Sequence, residues 1–471
     1  MILPNQIEYT SVELPKNQKP KLTVELTNQT FWQRKQKLLE RMEKAGYDIL
    51  FIYGDREHGD NFGYLTGIEP RFEEAVYVLH QDGEAYLLLG NESMYMPSVC
   101  RTEVIGIHVP HLSLPNQPME PVKSIKESFA EAKIRAGARV GMIGWKMFTS
   151  AVEDNSQIFD IPHFMVETVK SLVGPEERLT NAAHLLIHPE SGVRVIMNAN
   201  EIAHFEFGAA IGSSCMLEML KCLDTDQREM DLAEHLAAYG QQTTVQTICA
   251  TGERFTRGIV APREKKTVKG DQFSSSIGYR GGLTVRKGYI ARDIDDLPEN
   301  DKDYIEAVVK PYYAAVVSWY ELLGIGITGG EIYDMIEQVA PKSKYGWHLN
   351  PGHLIASEEW LSSPIYSGST IAIQSGMMLQ MDIIMKAPGH AGINAEDGIA
   401  VADEKLREEL ARDYPEVWNR IEARRNYMQD VLGIILKPEI LPLSDTEGWL
   451  CPLLLEKGKA MAVRREIVEN D

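Results

Sequence analysis

The pattern of apolar and polar positions divides the chain into two parts. In the first part, the amphipathic spacing of residues 31–46 predicts a helix, and the apolar run at 48–53 predicts a buried strand. Residues 74–90 carry two such runs around a turn, and another apolar run lies at 139–144. A helix followed by strands and a hairpin is typical of an α/β domain, which we predict for residues 1–165.

The second part has a different pattern. Residues 166–195 carry polar and turn residues around short apolar pieces, and we interpret them as a linker. From residue 196 on, helices and strands come in blocks, which favours an α+β domain with a curved antiparallel sheet over residues 196–440. Residues 441–471 are predicted to pack on that domain as an extension. The predicted helices cover roughly 198–223, 229–241, 299–323 and 329–339, and the predicted strands lie near 244–250, 272–290, 370–384 and 396–402.

Composition narrows the function classes. The 44% hydrophobic and 25% charged residues are typical of a globular protein, and a net charge of −20 disfavours both nucleic acid and anionic membrane surfaces. No apolar run approaches the length of a membrane span, and the first residues lack a secretory pattern, so we expect a cytoplasmic location. Five scattered cysteines without a C-x-x-C pair argue against a disulfide framework and a zinc ribbon.

Four motifs resemble those of the creatinase and Xaa-Pro aminopeptidase family. The first is YLTG at residues 64–67, and GHL at 352–354, GMMLQMD at 376–382 and GINAED at 392–397 follow in the family's order and spacing. The resemblance covers roughly residues 30–440. It implies an α+β fold, with an N-terminal α/β creatinase-like domain followed by a pita-bread domain, and it implies a homodimer.

The resemblance also implies a metal site. Peptidases of this family hold two divalent cations with two Asp, one His and two Glu, and these cations activate a bridging water. His353 matches the His, Asp382 stands where the family has Glu, and Glu396 matches the last Glu. One His and two carboxylates could hold a single Mn²⁺, Fe²⁺ or Zn²⁺, so the expected cofactor is one such ion or none. The alternative is a buried hydrogen-bonded cluster without metal.

The two Asp ligands of the family are missing. Ser276 stands at the first position, and the second falls near Leu283 or at Lys287, depending on whether the alignment is anchored on Arg286 or on equal spacing from Ser276. Serine is a poor ligand, and neither Leu nor a charged Lys can bind a cation. Asp293 could substitute only if the strand shifted register or bulged.

Creatinase, a member of the family, hydrolyses a C–N bond without a metal, but its catalytic residues are also replaced here. Its acid/base histidine aligns with Ile259, its catalytic glutamate with Val285, and its second histidine near Trp360. Of either catalytic set, only the counterparts of His353 and Glu396 remain, and these are the candidate catalytic residues.

Three residues are candidates for substrate binding. Arg254 and Arg257 occupy the loop where the family places its proton-shuttling residues, and their charge would favour a ligand that bears a carboxylate. His348 could contact the same ligand, although a packing role is the alternative. His390 could reach the cavity, with a surface turn as the alternative interpretation.

Two hypotheses follow. In the first, the chain hydrolyses a small amide, amidine or peptide C–N bond with at most one metal ion. Glu396 would then orient or deprotonate water, His353 would stabilise the oxyanion or donate a proton, and Arg254 or Arg257 would hold an anionic group. In the second, the chain is a catalytically inactive pseudoenzyme that binds a small ligand or a partner protein through the same cavity or through the dimer surface.

Overall fold

The structure is a computed structural model that describes residues 1–175, 178–257 and 261–465, without the side chains of 255–257. The strands are β1 (Ile7–Ser11), β2 (Ile49–Gly54), β3 (Ala75–His80), β4 (Ala85–Leu89), β5 (Ile105–His108), β6 (Val140–Ile143), β7 (Leu179–Asn181), β8 (Ile248–Thr251), β9 (Gln272–Tyr279), β10 (Gly282–Tyr289), β11 (His353–Leu354), β12 (Met378–Met381), β13 (Ala395–Val401), β14 (Ile440–Pro442) and β15 (Lys459–Val463). The α-helices are α1 (Asn28–Ala45), α2 (Asp60–Thr66), α3 (Met96–Val99), α4 (Ile125–Glu131), α5 (His163–Val173), α6 (His184–Ile187), α7 (Ala199–Cys222), α8 (Glu229–Ala233), α9 (Lys310–Leu322), α10 (Gly329–Val339), α11 (Lys342–Tyr345), α12 (Glu404–Asp413) and α13 (Pro415–Asn426).

The chain divides into two compact units, and one of them is Leu26–Val195. Its six-stranded sheet has the order β5-β4-β3-β2-β6-β7, with antiparallel pairing in the β2–β3–β4 meander and parallel pairing at β5, β6 and β7. Every residue of β2 is buried, as expected for a central strand that is covered on both faces. The helix predicted at 31–46 is confirmed as α1, which ends where Gly46 adopts a left-handed conformation.

The other unit combines Met1–Glu25 with Ile196–Asp471. Its main sheet is antiparallel, with the order β11-β12-β13-β10-β9-β8 and with β14 added to β13. A separate antiparallel ribbon joins β1 to β15, and this pairing brings the first 25 residues into the unit. The α+β fold class is confirmed. Among the described residues, no helix has the length and apolarity that a membrane crossing requires.

Several predicted elements of this unit are shorter in the structure. The helix expected at 229–241 is limited to α8 and a 3₁₀ turn, and the one expected at 299–323 is a π-helical turn, Ile305–Val309, followed by α9. The predicted strand at 272–290 is a hairpin of β9 and β10.

Helix α7 lies so close to the β9–β10 hairpin that two positions have no space for a side chain, and both are glycine. A Cβ on Gly208 would lie 1.8 Å from the carbonyl oxygen of Arg280, and one on Gly281 would lie 2.2 Å from the carbonyl oxygen of Phe205. Gly281 also has φ +102°, which strongly favours glycine. The two glycines therefore let the helix pack directly on the strands that carry the candidate site.

Candidate active site

Strand register builds one polar face on the main sheet. Ser276 of β9 lies opposite Val285 of β10, and Val285 lies opposite Glu396 of β13. Because side chains alternate along a strand, Lys287 lies on the same face as Val285, and its partner on β9 is Ser274. The face therefore places two serines, a lysine and a glutamate on three adjacent strands.

Arg286 lies on the opposite face, as the same alternation requires. Its guanidinium is buried, lies 2.5 Å from a carboxylate oxygen of Asp397 and donates to the carbonyl oxygen of Thr446. This pair stabilises the sheet from behind the site and leaves Lys287 as the β10 cation on the site face.

The carboxyl group of Asp382 meets that of Glu396. Asp382 follows the last residue of β12, and the pairing of Met381 with Asp397 brings it opposite Glu396. The two carboxyl groups are hydrogen-bonded to each other, and the Asn394 amide donates to Oε1 of Glu396 at 2.5 Å. Both acids are buried, with 6% and 4% of their surface exposed.

This environment favours the protonated form of Asp382. Burial raises the pKa of Asp382 well above its ordinary value, the charge of Glu396 and the hydrogen bond to it raise the pKa further, and the Lys287 ammonium acts in the opposite direction. The other carboxyl oxygen, Oδ1 of Asp382, has no hydrogen-bond partner among the described residues. A hydrogen bond between two carboxyl groups needs one proton between them, and the raised pKa of Asp382 favours a proton on that residue.

His353 of β11 completes the group. Its Nε2 lies 3.9 Å from Oδ2 of Asp382, and its Nδ1 lies 3.3 Å from the carbonyl oxygen of Leu354. A carbonyl can only accept, so this contact is a hydrogen bond when Nδ1 carries the proton and Nε2 carries the lone pair. Burial lowers the pKa of His353 to about 4, which keeps the ring neutral at pH 7. The ring of Trp360 stacks on it with centroids 4.1 Å apart.

Comparison with known proteins identifies the fold of the chain. No protein-family model matches the chain, and no curated protein matches it. A prolidase from Pyrococcus horikoshii, however, aligns with a TM-score of 0.60 and 17% identity over 79% of this chain and 95% of its own. The chain has the prolidase fold. An Xaa-Pro dipeptidase from Bacillus anthracis aligns with a TM-score of 0.59 and 16% identity over 79% and 96% of the two chains. An X-Pro aminopeptidase from Thermotoga maritima aligns at 0.58 and 14% over 79% and 95%.

The residues of the candidate site do not fit the two-metal centre that the sequence resemblance implies. A dinuclear centre of this kind needs five ligands, and only His353, Asp382 and Glu396 stand at its positions. The Lys287 ammonium interacts with both acids, and a hydroxyl stands at Ser276 where a first Asp is needed. Asp293 does not replace the second Asp, because β10 pairs with β9 without a bulge and ends at Tyr289, so that Asp293 is exposed beyond it.

One ligand triad is present elsewhere in the described residues. Ligand atoms of Asp301, Asp303 and His390 lie within 4.8 Å of one another, a distance that the predicted set His353, Asp382 and Glu396 does not meet. Asp301 is buried, and its oxygens accept from the His390 ring at 2.6 Å, the Ala391 amide at 2.9 Å and the Tyr289 hydroxyl at 2.5 Å. These bonds make Asp301 an anchor for the hairpin that carries His390, which therefore lies in the Asp301 cluster.

The predicted substrate-binding residues do not join the group at His353. Arg254 pairs with the fully buried Glu229 at 3.0 Å and donates to the carbonyl oxygen of Ala261 at 2.6 Å. His348 is exposed in the loop after α11. No described contact links either residue to the acids. The Arg257 side chain and Ile259 lie outside the described residues.

Sequence reasoning missed two partners in this site. In the sequence, Lys287 stands out only as a residue that cannot bind a cation, and the pairing of Val285 with Glu396 in the structure places it on the side of Glu396. Trp360 stands in the sequence where a histidine is expected, and in the structure its ring stacks on His353. Nothing in the sequence signals the second contact, because the loop from 355 to 360 folds back on β11.

Proposed function

We propose that the chain hydrolyses a C–N bond of a small amide, amidine or short peptide without a metal ion. The observation that carries the proposal is the 3.9 Å between Nε2 of His353 and Oδ2 of Asp382. The pKa of His353, about 4, leaves a lone pair on its Nε2 at neutral pH, and the raised pKa of Asp382 favours a protonated carboxyl group. An acid and a base with opposite protonation states in one buried site are what amide hydrolysis needs.

The roles follow from these protonation states. The separation of 3.9 Å is too long for a direct hydrogen bond, and in this proposal a water molecule binds beside both groups. His353 accepts a proton from this water as it attacks the carbonyl or amidine carbon, and Asp382 donates its proton to the departing nitrogen. Glu396 accepts a hydrogen bond from Asn394 and supports the acid. This assignment gives His353 the role of a base, because its Nδ1 proton is directed to Leu354.

The names of the matched structures support the substrate class. Prolidase and Xaa-Pro dipeptidase are names of enzymes that act on short peptides, and we infer a short peptide or small amide as substrate here. We also infer a homodimer and a cytoplasmic location from the family resemblance. Sedimentation of the purified protein tests the dimer, and fractionation of the source cells tests the location.

The test is turnover after removal of metal. Chelator-treated protein is assayed against a panel of Xaa-Pro dipeptides and small amides, together with His353→Gln and Asp382→Asn. We expect wild-type turnover to persist, and each variant to lose roughly 10²-fold or more, as for loss of a general acid or base. The matched controls, His348→Gln and Asp293→Asn, change exposed residues and should keep wild-type rates. Full turnover in either site variant would remove the proposal.

A second candidate is the inactive binding protein. It is favoured by the burial of His353, which is 2% exposed beneath the ring of Trp360. In this case the same dipeptides and amides would bind in a calorimetric titration, no product would form, and Trp360→Ala would change the affinity.

A further inference from the structure

A lysine stands on the sheet face where the resemblance implies cations. Lys287 lies two residues from Val285 on β10, and Val285 pairs directly with Glu396 on β13. The backbone amide of Lys287 donates to the carbonyl oxygen of Asn394 at 3.0 Å, which fixes the lysine beside the start of β13. Its side chain is therefore directed to the same face as Glu396.

The neighbouring positions leave space for this long side chain. Directly opposite Lys287 on β9 is Ser274, and the next position on that face is Ser276, both small and both buried. From the other side, β13 and β12 bring Glu396 and Asp382. The lysine thus lies between a row of hydroxyl groups and a pair of acids. Burial lowers the pKa of its ammonium group, and the charges of Glu396 and Asp382 act in the opposite direction.

This face carries a cation beside its acids without any added ion. The Lys287 side chain lies on the same face as Glu396, and Asp382 lies opposite Glu396. A buried acid is stabilised by a neighbouring cation, whereas an additional divalent cation would have to displace the Lys287 side chain from this face.

We propose that Lys287 is a built-in cation that occupies the place of the divalent metal ions and stabilises the Asp382–Glu396 pair. Lys287 has this role in a catalytic and in a purely binding protein alike. Two substitutions should therefore restore a metal site: Ser276→Asp supplies the first missing carboxylate, and Lys287→Asp supplies the second and removes the competing ammonium.

The test is a calorimetric titration of Mn²⁺ and Co²⁺ into chelator-treated full-length proteins. We expect no binding to the wild type, and about one or two ions per chain with a micromolar Kd for the S276D/K287D variant. The matched control S276N/K287N has nearly the same side-chain volumes without the charges and should bind nothing. Circular dichroism and gel filtration confirm folding. Micromolar binding of either ion to the wild type would overturn the proposal. So would a folded S276D/K287D protein that binds neither ion.

A second measurement applies if the double variant does not fold. Lys287→Met keeps the length of the side chain and removes its charge, whereas Lys287→Arg keeps the charge. We expect K287M to lower the thermal midpoint at pH 7 by several degrees and K287R to recover part of that loss. Lys266→Met serves as the control, because Lys266 forms an exposed ion pair with Asp226, which contributes little to stability. Equal midpoints for K287M and the wild type would refute the role of the ammonium.

Discussion

The neutral state of His353 makes stability depend on pH in a way that one substitution can isolate. In the folded protein its pKa is about 4, and the ordinary value of histidine is about 6.5. Between these values the unfolded chain binds a proton that the folded chain does not, so stability is lost as the pH falls from about 6.5 to about 4. Between pH 7 and pH 5 this one residue should cost about 2 kcal/mol of the free energy of unfolding.

The assay is urea unfolding at pH 7, 6 and 5 for the wild type, His353→Gln and His348→Gln. Glutamine has no charge to gain, so the stability of H353Q should decline less steeply by about 2 kcal/mol over this range. The exposed His348 is the control, and H348Q should follow the wild type. The comparison uses the slope with pH, so a uniform loss of stability in H353Q does not affect it. An H353Q slope equal to that of the wild type would refute the reasoning.

Three further predictions concern Asp382, Trp360 and Arg254. The raised pKa of Asp382 favours its protonated form, so above the pKa of the unfolded chain this carboxyl group lowers the stability of the folded protein. Asp382→Asn should therefore have a thermal midpoint at pH 8 equal to or higher than that of the wild type, and a large drop would contradict this. Trp360→Ala should admit water to His353 and raise the pKa of His353. Diethylpyrocarbonate should then label His353 faster, as followed by peptide mass spectrometry, and an unchanged labelling rate would show that the Trp360 ring does not shield the histidine. Arg254→Ala should lower the free energy of unfolding in urea by roughly 3 kcal/mol, because Glu229 is then buried without a cation. Adding Glu229→Gln should recover part of this loss, and an R254A protein as stable as the wild type would exclude the structural role of Arg254.

The sequence was informative where a pattern is local. The helix at 31–46 could be predicted because amphipathic spacing and a terminal glycine act within the helix itself. His353, Asp382 and Glu396 could be selected from short motifs, and the structure places His353 on β11, Glu396 on β13 and Asp382 directly after β12, the strand between them.

The other contacts of the site and of Arg254 could not be predicted, because they depend on strand register and on residues far away in the sequence. Whether Lys287 faces the acids is decided by which residue of β10 pairs with Glu396, and a shift of one residue would send the lysine to the other face. The partner of Arg254 is Glu229, which is supplied by α8 far back in the chain. A loop arginine near a cavity and one bound to a buried acid look the same in sequence.

The β1–β15 ribbon also sets the order in which the protein can be completed during synthesis. Its two strands pair Ile7 with Val463, about 450 residues apart, so at ribosomal rates β1 waits roughly 20 to 90 s for its partner. The unit of residues 26–195 emerges in between and can fold in that time. A nascent chain stopped before residue 459 would expose β1 as an unpaired edge, which is a site for association with other chains.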